Sequence, residues 1–278
     1  MQTTFNETPI ESQTNEEEAM VRKRYGFLPT SVWYLTKTQG LLKLVEDNIG
    51  TGSYGDGNPL SQFNPVVAEK IIKIWSKEGE KILDPFAGRC RAIMARHLNR
   101  HYRGYEISPK AYSQLQANLN RNSLHLWTGE TYKCVPVLCN QDSRLMVEPD
   151  EEYDLIFSCP PFWDVEDYNE QYGEHELGQL SDIHDYDKFL ADYKIIIANC
   201  YKALKTGKYA VWVVADIRRN KTLIPFHADT IRIFQEVGFA CHDVIVNQLN
   251  SLAIMGIGQA LENKYTPKMH EYILVFKK

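Results

Sequence analysis

From Lys81 onward the chain alternates two kinds of segment, and no other feature limits its fold so strongly. Short apolar runs ("KILD", "YRGYEI", "KCVPVLCNQD", "YDLIFS", "KYAVWVVAD") are separated by stretches with helical spacing at 91–100, 109–122, 186–204 and 228–237. The runs are too short for buried helices and read as strands, each followed by a crossover helix. Strands of this kind form a mostly parallel sheet with helices on both faces. The expected fold is therefore three-layer α/β, Rossmann-like, with ligands at the carboxyl ends of its strands. The last two strands, "CHDVIVNQ" and "HEYILVFK", are joined by a long Gly-containing connection with no convincing helix, so an antiparallel pair is expected at one side. A hydrophobic content of 44% in 278 residues is enough to fill such a core.

Residues 1–20 are rich in Thr, Glu, Gln and Asn without an apolar period and read as a loosely attached tail. Order is expected near Tyr25, with a packed extension and a short helix, then a mobile loop over the Gly-rich stretch 50–59. Asn64 and Pro65 form a helix start, Asn as cap and Pro at the first helical position. The expected division is an N-terminal tail and extension over 1–60 and one catalytic domain over 61–278. No uncharged apolar run reaches the roughly 18 residues that a membrane span needs. The polar, acidic N-terminus does not resemble a signal peptide, which points to a cytoplasmic protein. The six cysteines show no CxxC pair, which fits reduced thiols. Cys90, His97 and His101 lack a fourth candidate ligand, so no metal is expected.

A net charge of −5 argues at first against a nucleic-acid partner. Nine acidic residues, however, fall between Asp164 and Asp187 with no Lys or Arg before Lys188, so the rest of the chain is mildly basic. Arg218, Arg219, Lys221 and the 247–268 connection are expected among the contacts for a polyanion.

Three consecutive strand ends carry carboxylates. In "ILDPFAGRC" a buried strand delivers Asp84, and Gly88 gives a tight turn with close backbone approach before a helix opens. Glu106 ends the next strand at a distance suited to a ribose diol. Asp142 in "NQDS" is an acceptor for an adenine amino group, although each of the three has a plain alternative as a helix cap. Together they point to a nucleoside ligand.

The fourth strand end, "DLIFSCPPFWD", is the more unusual. Pro160 and Pro161 fix two φ angles and remove two N–H donors, leaving a stiff shelf of carbonyl acceptors. Phe162 behind it offers a flat face for a heterocyclic base, and such stacking is worth roughly 1 to 3 kcal/mol. Carbonyls that hold an exocyclic NH2 would aim its lone pair at an electrophile, which implies alkylation of an amino nitrogen with rate arising from orientation and fixed dipoles.

"DPFAG" after a strand, an acidic next strand end and "SCPPFW" at the fourth strand resemble the motifs of the S-adenosylmethionine-dependent amino methyltransferases of DNA, which modify adenine N6 or cytosine N4. The helix "NPVVAEKIIKIW" and the terminal "HEYILVFKK" are similar as well, and with "YGFLPTSVW" the likeness is to small stand-alone enzymes of bacteria or phages, over about 61–278. The resemblance implies a Rossmann-like methyltransferase fold and S-adenosylmethionine as cofactor. It implies cofactor contacts from Asn64, Pro65, Asp84, Pro85, Phe86, Gly88, Glu106, Ile107 and Asp142: Asp84, Phe86 and Gly88 on the methionine side, Glu106 on the ribose, Asp142 by the adenine. Cys159, Pro160, Pro161 and Phe162 would form the catalytic shelf for a base flipped out of DNA. A monomer or homodimer is expected, with or without a specificity partner. No sizeable recognition domain is evident, so short sites or relaxed specificity are expected.

Two positions depart from the family pattern. Cys90 stands where a second Gly is usual, and Cys159 stands where Asp, Asn or Ser accepts the second amino hydrogen; sulfur is a weak acceptor. Ser158 has a suitable oxygen but by strand alternation faces the other way. Three alternatives stay open: a methyltransferase for RNA or a protein amide, a degenerate methyltransferase serving as a nucleic-acid-binding subunit, and Cys159 as a nucleophile for pyrimidine C5.

Overall fold

The computed structural model describes residues 10–25, 27–34, 63–121, 130–165, 178–249, 257–266 and 268–278. The Gly-rich stretch 50–59 and residues 166–177 of the acidic segment lie outside them. Ten strands are described: β1 (Val32–Tyr34), β2 (Lys81–Asp84), β3 (His101–Glu106), β4 (Val137–Asn140), β5 (Tyr153–Ser158), β6 (Leu204–Val214), β7 (Ile217–Arg219), β8 (Thr222–Ile224), β9 (Ala240–Gln248) and β10 (His270–Lys277). The helices are α1 (Ile10–Tyr25), α2 (Pro65–Trp75), α3 (Arg89–His97), α4 (Pro109–Arg121), α5 (Tyr186–Ala203), α6 (Phe226–Val237) and the short α7 (Ile257–Glu262).

Eight strands form one sheet in the order β1-β9-β10-β6-β5-β2-β3-β4, and β7 and β8 form a separate antiparallel hairpin. The run from β6 to β4 is parallel. As expected, β9 and β10 pair antiparallel, and β10 also pairs antiparallel with β6. Successive residues of the inner strands go to opposite faces, and both faces are dry. Ile82, Leu155, Phe157, Val211 and Val213 pack with α2, α3 and α4. Leu83, Ile156, Ala210, Trp212 and Val214 pack with α5 and α6. Burial on both faces makes these strands nearly continuous in apolar residues, which is what their sequence shows.

The chain runs outward through β2, β3 and β4, then returns to lay β5 on the other side of β2. The strand order therefore reverses between β2 and β5. Their carboxyl ends part into the crevice where ligands bind in sheets of this kind. The "DPFAG" turn and the "CPPF" segment are neighbours by topology, although about seventy residues of sequence separate them.

Several boundaries differ from the sequence reading. Residues 10–20 belong to helix α1, not to a tail without regular structure; an i,i+4 pair of Arg22 with Glu18 at 2.8 Å supports it. Within the extension, Val32–Tyr34 joins the large sheet beside β9 and buries Trp33, which stacks at 6.5 Å on Trp75 of α2. Helix α3 spans Arg89–His97 instead of 91–100. Gly88 caps its start, and its end is set by Asn99 at φ 58°, with the Arg100 amide donating to the Ala95 carbonyl at 2.8 Å. The connection after β9 holds the short α7, and the β7–β8 hairpin was not foreseen. Asn64 caps α2 as expected, accepting from the Val66 amide at 2.9 Å.

Candidate active site

At the end of β2, Asp84 is fully buried. It accepts from the Phe86 amide at 3.0 Å, Arg91 Nε at 2.6 Å, the Tyr102 hydroxyl at 2.7 Å and Ser158 Oγ at 2.5 Å. Four donors fill the carboxylate's acceptor capacity. Asp84 is thus not on the surface of the cavity, contrary to the expected cofactor contact; it holds the turn and joins β2 to β5. Asn64 and Pro65 also lie outside the cavity lining, Asn64 as a helix cap and Pro65 buried beneath it. Arg91, which the sequence reading missed, is the cation of this knot. Burial works to lower its pKa, but Asp84, Tyr102 and Cys159 outweigh that and keep it raised and charged. Its guanidinium also donates to the Phe86 carbonyl and lies 5.2 Å from the Phe63 ring centre.

Gly88 has φ −98°, open to any residue, so its role is not the torsional freedom expected for a tight turn. A Cβ there would come within 3.2 Å of the Arg91 guanidinium. Cys90, at the departure from the family pattern, points into the core, where burial pushes its thiol up to about 12.

Pro85, Phe86, Gly88, Arg91 and Tyr105 line one continuous cavity with Glu106, Ile107 and Asp142 at one end and Cys159, Pro160, Pro161 and Phe162 at the other. Ten of the thirteen residues singled out by sequence meet there. Ala111 and Leu115 of α4 and Leu180 add apolar wall to the same cavity. Asp142 caps the turn Ser143–Leu145, and both its oxygens hold Arg144. Arg144 also binds Asp192 of α5 and the Gly178 carbonyl at 2.9 Å, closing the far wall. Gly178 has φ 103°, and a Cβ would lie 2.5 Å from Arg144. Gly178→Ala should cost about 1–3 kcal/mol in strain and displacement. It should weaken ligand binding at this end, read by titration calorimetry; unchanged affinity and melting temperature would contradict this.

Glu106 is half-buried and forms no ion pair among the described residues, unlike Asp142. One oxygen accepts the Ser108 amide at 2.9 Å. Burial pushes its carboxyl up to about 7; the charge of Asp84 adds to this, while the Ser108 amide and Arg91 oppose it. A ligand bringing two hydroxyl donors would supply what this carboxylate lacks, and S-adenosylmethionine, with a ribose diol and an adenine for the apolar wall, fits these residues. Hydroxyl donors favour the ionised form, so affinity for such a ligand should rise, with proton release, as pH climbs toward about 7 and level off above it. Glu106→Gln should remove that dependence in calorimetry. The protein without ligand behaves in the opposite sense: because the folded value lies above the ordinary 4.5, this group's contribution to stability is full below that value and is lost as pH passes about 7.

The shelf is anchored on its far side. Phe162 packs 6.4 Å from Phe226 of α6. Trp163 sits at φ 55°, its Nε1 donating to the Ile183 carbonyl at 2.7 Å and its ring 5.1 Å from Tyr186. Ser158 faces away from the cavity, as its strand position implied, and Cys159 faces into it.

The fold, a mostly parallel sheet with helices on both faces, resembles that of S-adenosylmethionine-dependent methyltransferases. A Methanosarcina mazei protein of that description superposes with a TM-score of 0.50 at 13% identity, over 79% of this chain and 99% of its own. The family model for DNA methylases matches residues 2–117 and 153–278. The chain belongs to that DNA methylase family and is an S-adenosylmethionine-dependent DNA methyltransferase. A candidate DNA modification methylase of Thermus thermophilus is 22% identical, with a TM-score of 0.36, over 49% of this chain and 50% of that one. Its complex with S-adenosyl-L-methionine gives 26% identity at the same TM-score, over 49% and 53%. No curated protein sequence matches the chain. Among the described residues no helix is long and apolar enough to cross a membrane.

Proposed function

We propose that the chain methylates an exocyclic amino nitrogen of DNA, adenine N6 or cytosine N4, with 61–278 as the catalytic unit and the preceding extension lending an edge strand. The observation that carries this reading is the single cavity joining Glu106 and Asp142 to the diproline shelf. S-adenosylmethionine supplies an electrophilic methyl carbon on its sulfonium. Glu106 holds the ribose hydroxyls, Phe86 and Gly88 border the methionine end, and the wall of Ile107 and Leu180 takes the adenine.

A base flipped from the duplex stacks on Phe162, and the carbonyl of Pro160 accepts one amino hydrogen. That contact draws the nitrogen lone pair out of conjugation and fixes its direction. Cys159 gives the second hydrogen only a weak acceptor, so most of the rate must come from orientation. Nucleosides released from DNA after incubation with labelled cofactor should contain N6-methyladenine or N4-methylcytosine by mass spectrometry. Label found only as 5-methylcytosine would move the chemistry to the Cys159 thiol. Label in RNA but not in DNA would overturn the substrate assignment.

A further inference from the structure

Arg219 was expected to meet DNA phosphates, yet it is already engaged. It donates from Nε and Nη2 to Asp164 Oδ1 at 2.9 and 2.7 Å, and from Nη2 also to the Asp164 backbone carbonyl. Asp164 is two residues beyond Phe162, and its side chain is only 16% exposed. The β7–β8 hairpin is shaped to present this arginine: Asn220 and Lys221 both have positive φ, 48° and 66°, the backbone of a tight two-residue turn. Arg218 is turned elsewhere, over the Tyr265 ring at 4.3 Å, with Nη1 on the Lys221 carbonyl at 2.8 Å.

We propose that Arg219 is a positioning residue for methyl transfer: it ties Asp164 to the hairpin and so sets the angle at which Pro160 and Phe162 present the target base. The inference rests on the amino-methyltransferase reading above. Two hydrogen-bonded anchors fix the end of the shelf, Trp163 on Ile183 and Asp164 on Arg219, and they pull on adjacent residues toward different elements; His184 Nδ1 approaches the other Asp164 oxygen at 3.8 Å, beyond hydrogen-bond range. A contact that grips both a carboxylate and its own backbone carbonyl fixes main-chain position as well as side-chain charge. Lysine cannot copy it, having one nitrogen where the guanidinium fork has three.

The test compares the wild type with Arg219→Ala, Arg219→Lys, Asp164→Asn and the Asp164→Asn/Arg219→Ala double variant. Misplacement of a reacting group by about 1 Å costs on the order of 100-fold, so turnover at saturating DNA and cofactor should fall by about 10- to 100-fold in Arg219→Ala and Arg219→Lys, and by less in Asp164→Asn, which keeps Oδ1 and the backbone carbonyl as acceptors. Cofactor affinity by calorimetry should stay within about twofold, and the double variant should be no worse than the poorer single one. Hydrogen exchange in the peptide covering 160–165 should quicken in Arg219→Ala while the β2 and β3 peptides are unchanged. If instead turnover holds and the salt dependence of DNA binding drops by about one phosphate contact, Arg219 binds DNA and the proposal is overturned. Unchanged exchange at 160–165 overturns it as well, whatever the activity. A wild type that makes no methylated amino base refutes the functional reading separately.

Discussion

Asp84→Ala should lose about 3–5 kcal/mol of folding stability, because it leaves the buried Arg91 charge without its partner. The Tyr102 and Ser158 hydroxyls would lose their acceptor as well, each buried unsatisfied donor adding about 1–3 kcal/mol unless it finds another. Domains have only about 5–15 kcal/mol to lose, so the variant should be largely unfolded or melt far below the wild type. Denaturant unfolding measures this directly. Asp84→Asn keeps one acceptor oxygen but not the charge and should fall between the two. A stability within about 1 kcal/mol of wild type for Asp84→Ala would mean that the four contacts are not a unit. The result also bears on function: if Asp84 mainly held the cofactor, its loss would weaken binding and spare the fold.

Phe162→Ala should have the largest effect on catalysis that leaves the fold intact. Base stacking on an aromatic ring is worth about 1–3 kcal/mol, which corresponds to a fall of roughly 5- to 150-fold in kcat/KM for DNA. Phe162 is half-buried with one side toward Phe226, so some packing is lost too, but no buried charge is exposed. Cofactor affinity should be unchanged, because the ring stands at the opposite end of the cavity from Glu106. Phe162→Tyr should retain most of the rate. Equal activity of Phe162→Ala and wild type on duplex DNA would exclude a stacked target base.

The fold was legible where local pattern and tertiary demand agree. The inner strands are buried on both faces, so their apolar runs stand out; the reversal between β2 and β5, which no local pattern announces, is what brings the two motifs together. Asp84 shows the limit. Sequence placed it at a strand end beside a ligand, but the turn carries it inward, and its partner Arg91 lies seven residues on in a helix where an arginine ordinarily reads as surface. Asp142 was read both as a cap and as a cofactor acceptor; it does cap Ser143–Leu145, with both oxygens holding Arg144, and it also lines the cavity. Strand β1 was missed because three residues carry no period, and its pairing with β9 spans more than two hundred residues. The hairpin was missed because Asn-Lys is a weak signal for a turn that needs two positive φ angles, although β-branched and aliphatic residues flank it on both sides.

The position of β10 has a consequence for the order in which the molecule can be assembled. It is the last strand in the chain, yet it lies inside the sheet and is the sole bridge between β6 and the β9–β1 edge. On a ribosome, the parallel half from β2 to β6 is complete before β9 and β10 are made, and by then every residue found lining the cavity has emerged. The outer edge must wait for residue 277, and β1, made near the start, waits longest for its neighbour. A nascent chain can therefore own a finished ligand crevice while its oldest strand is still unpaired.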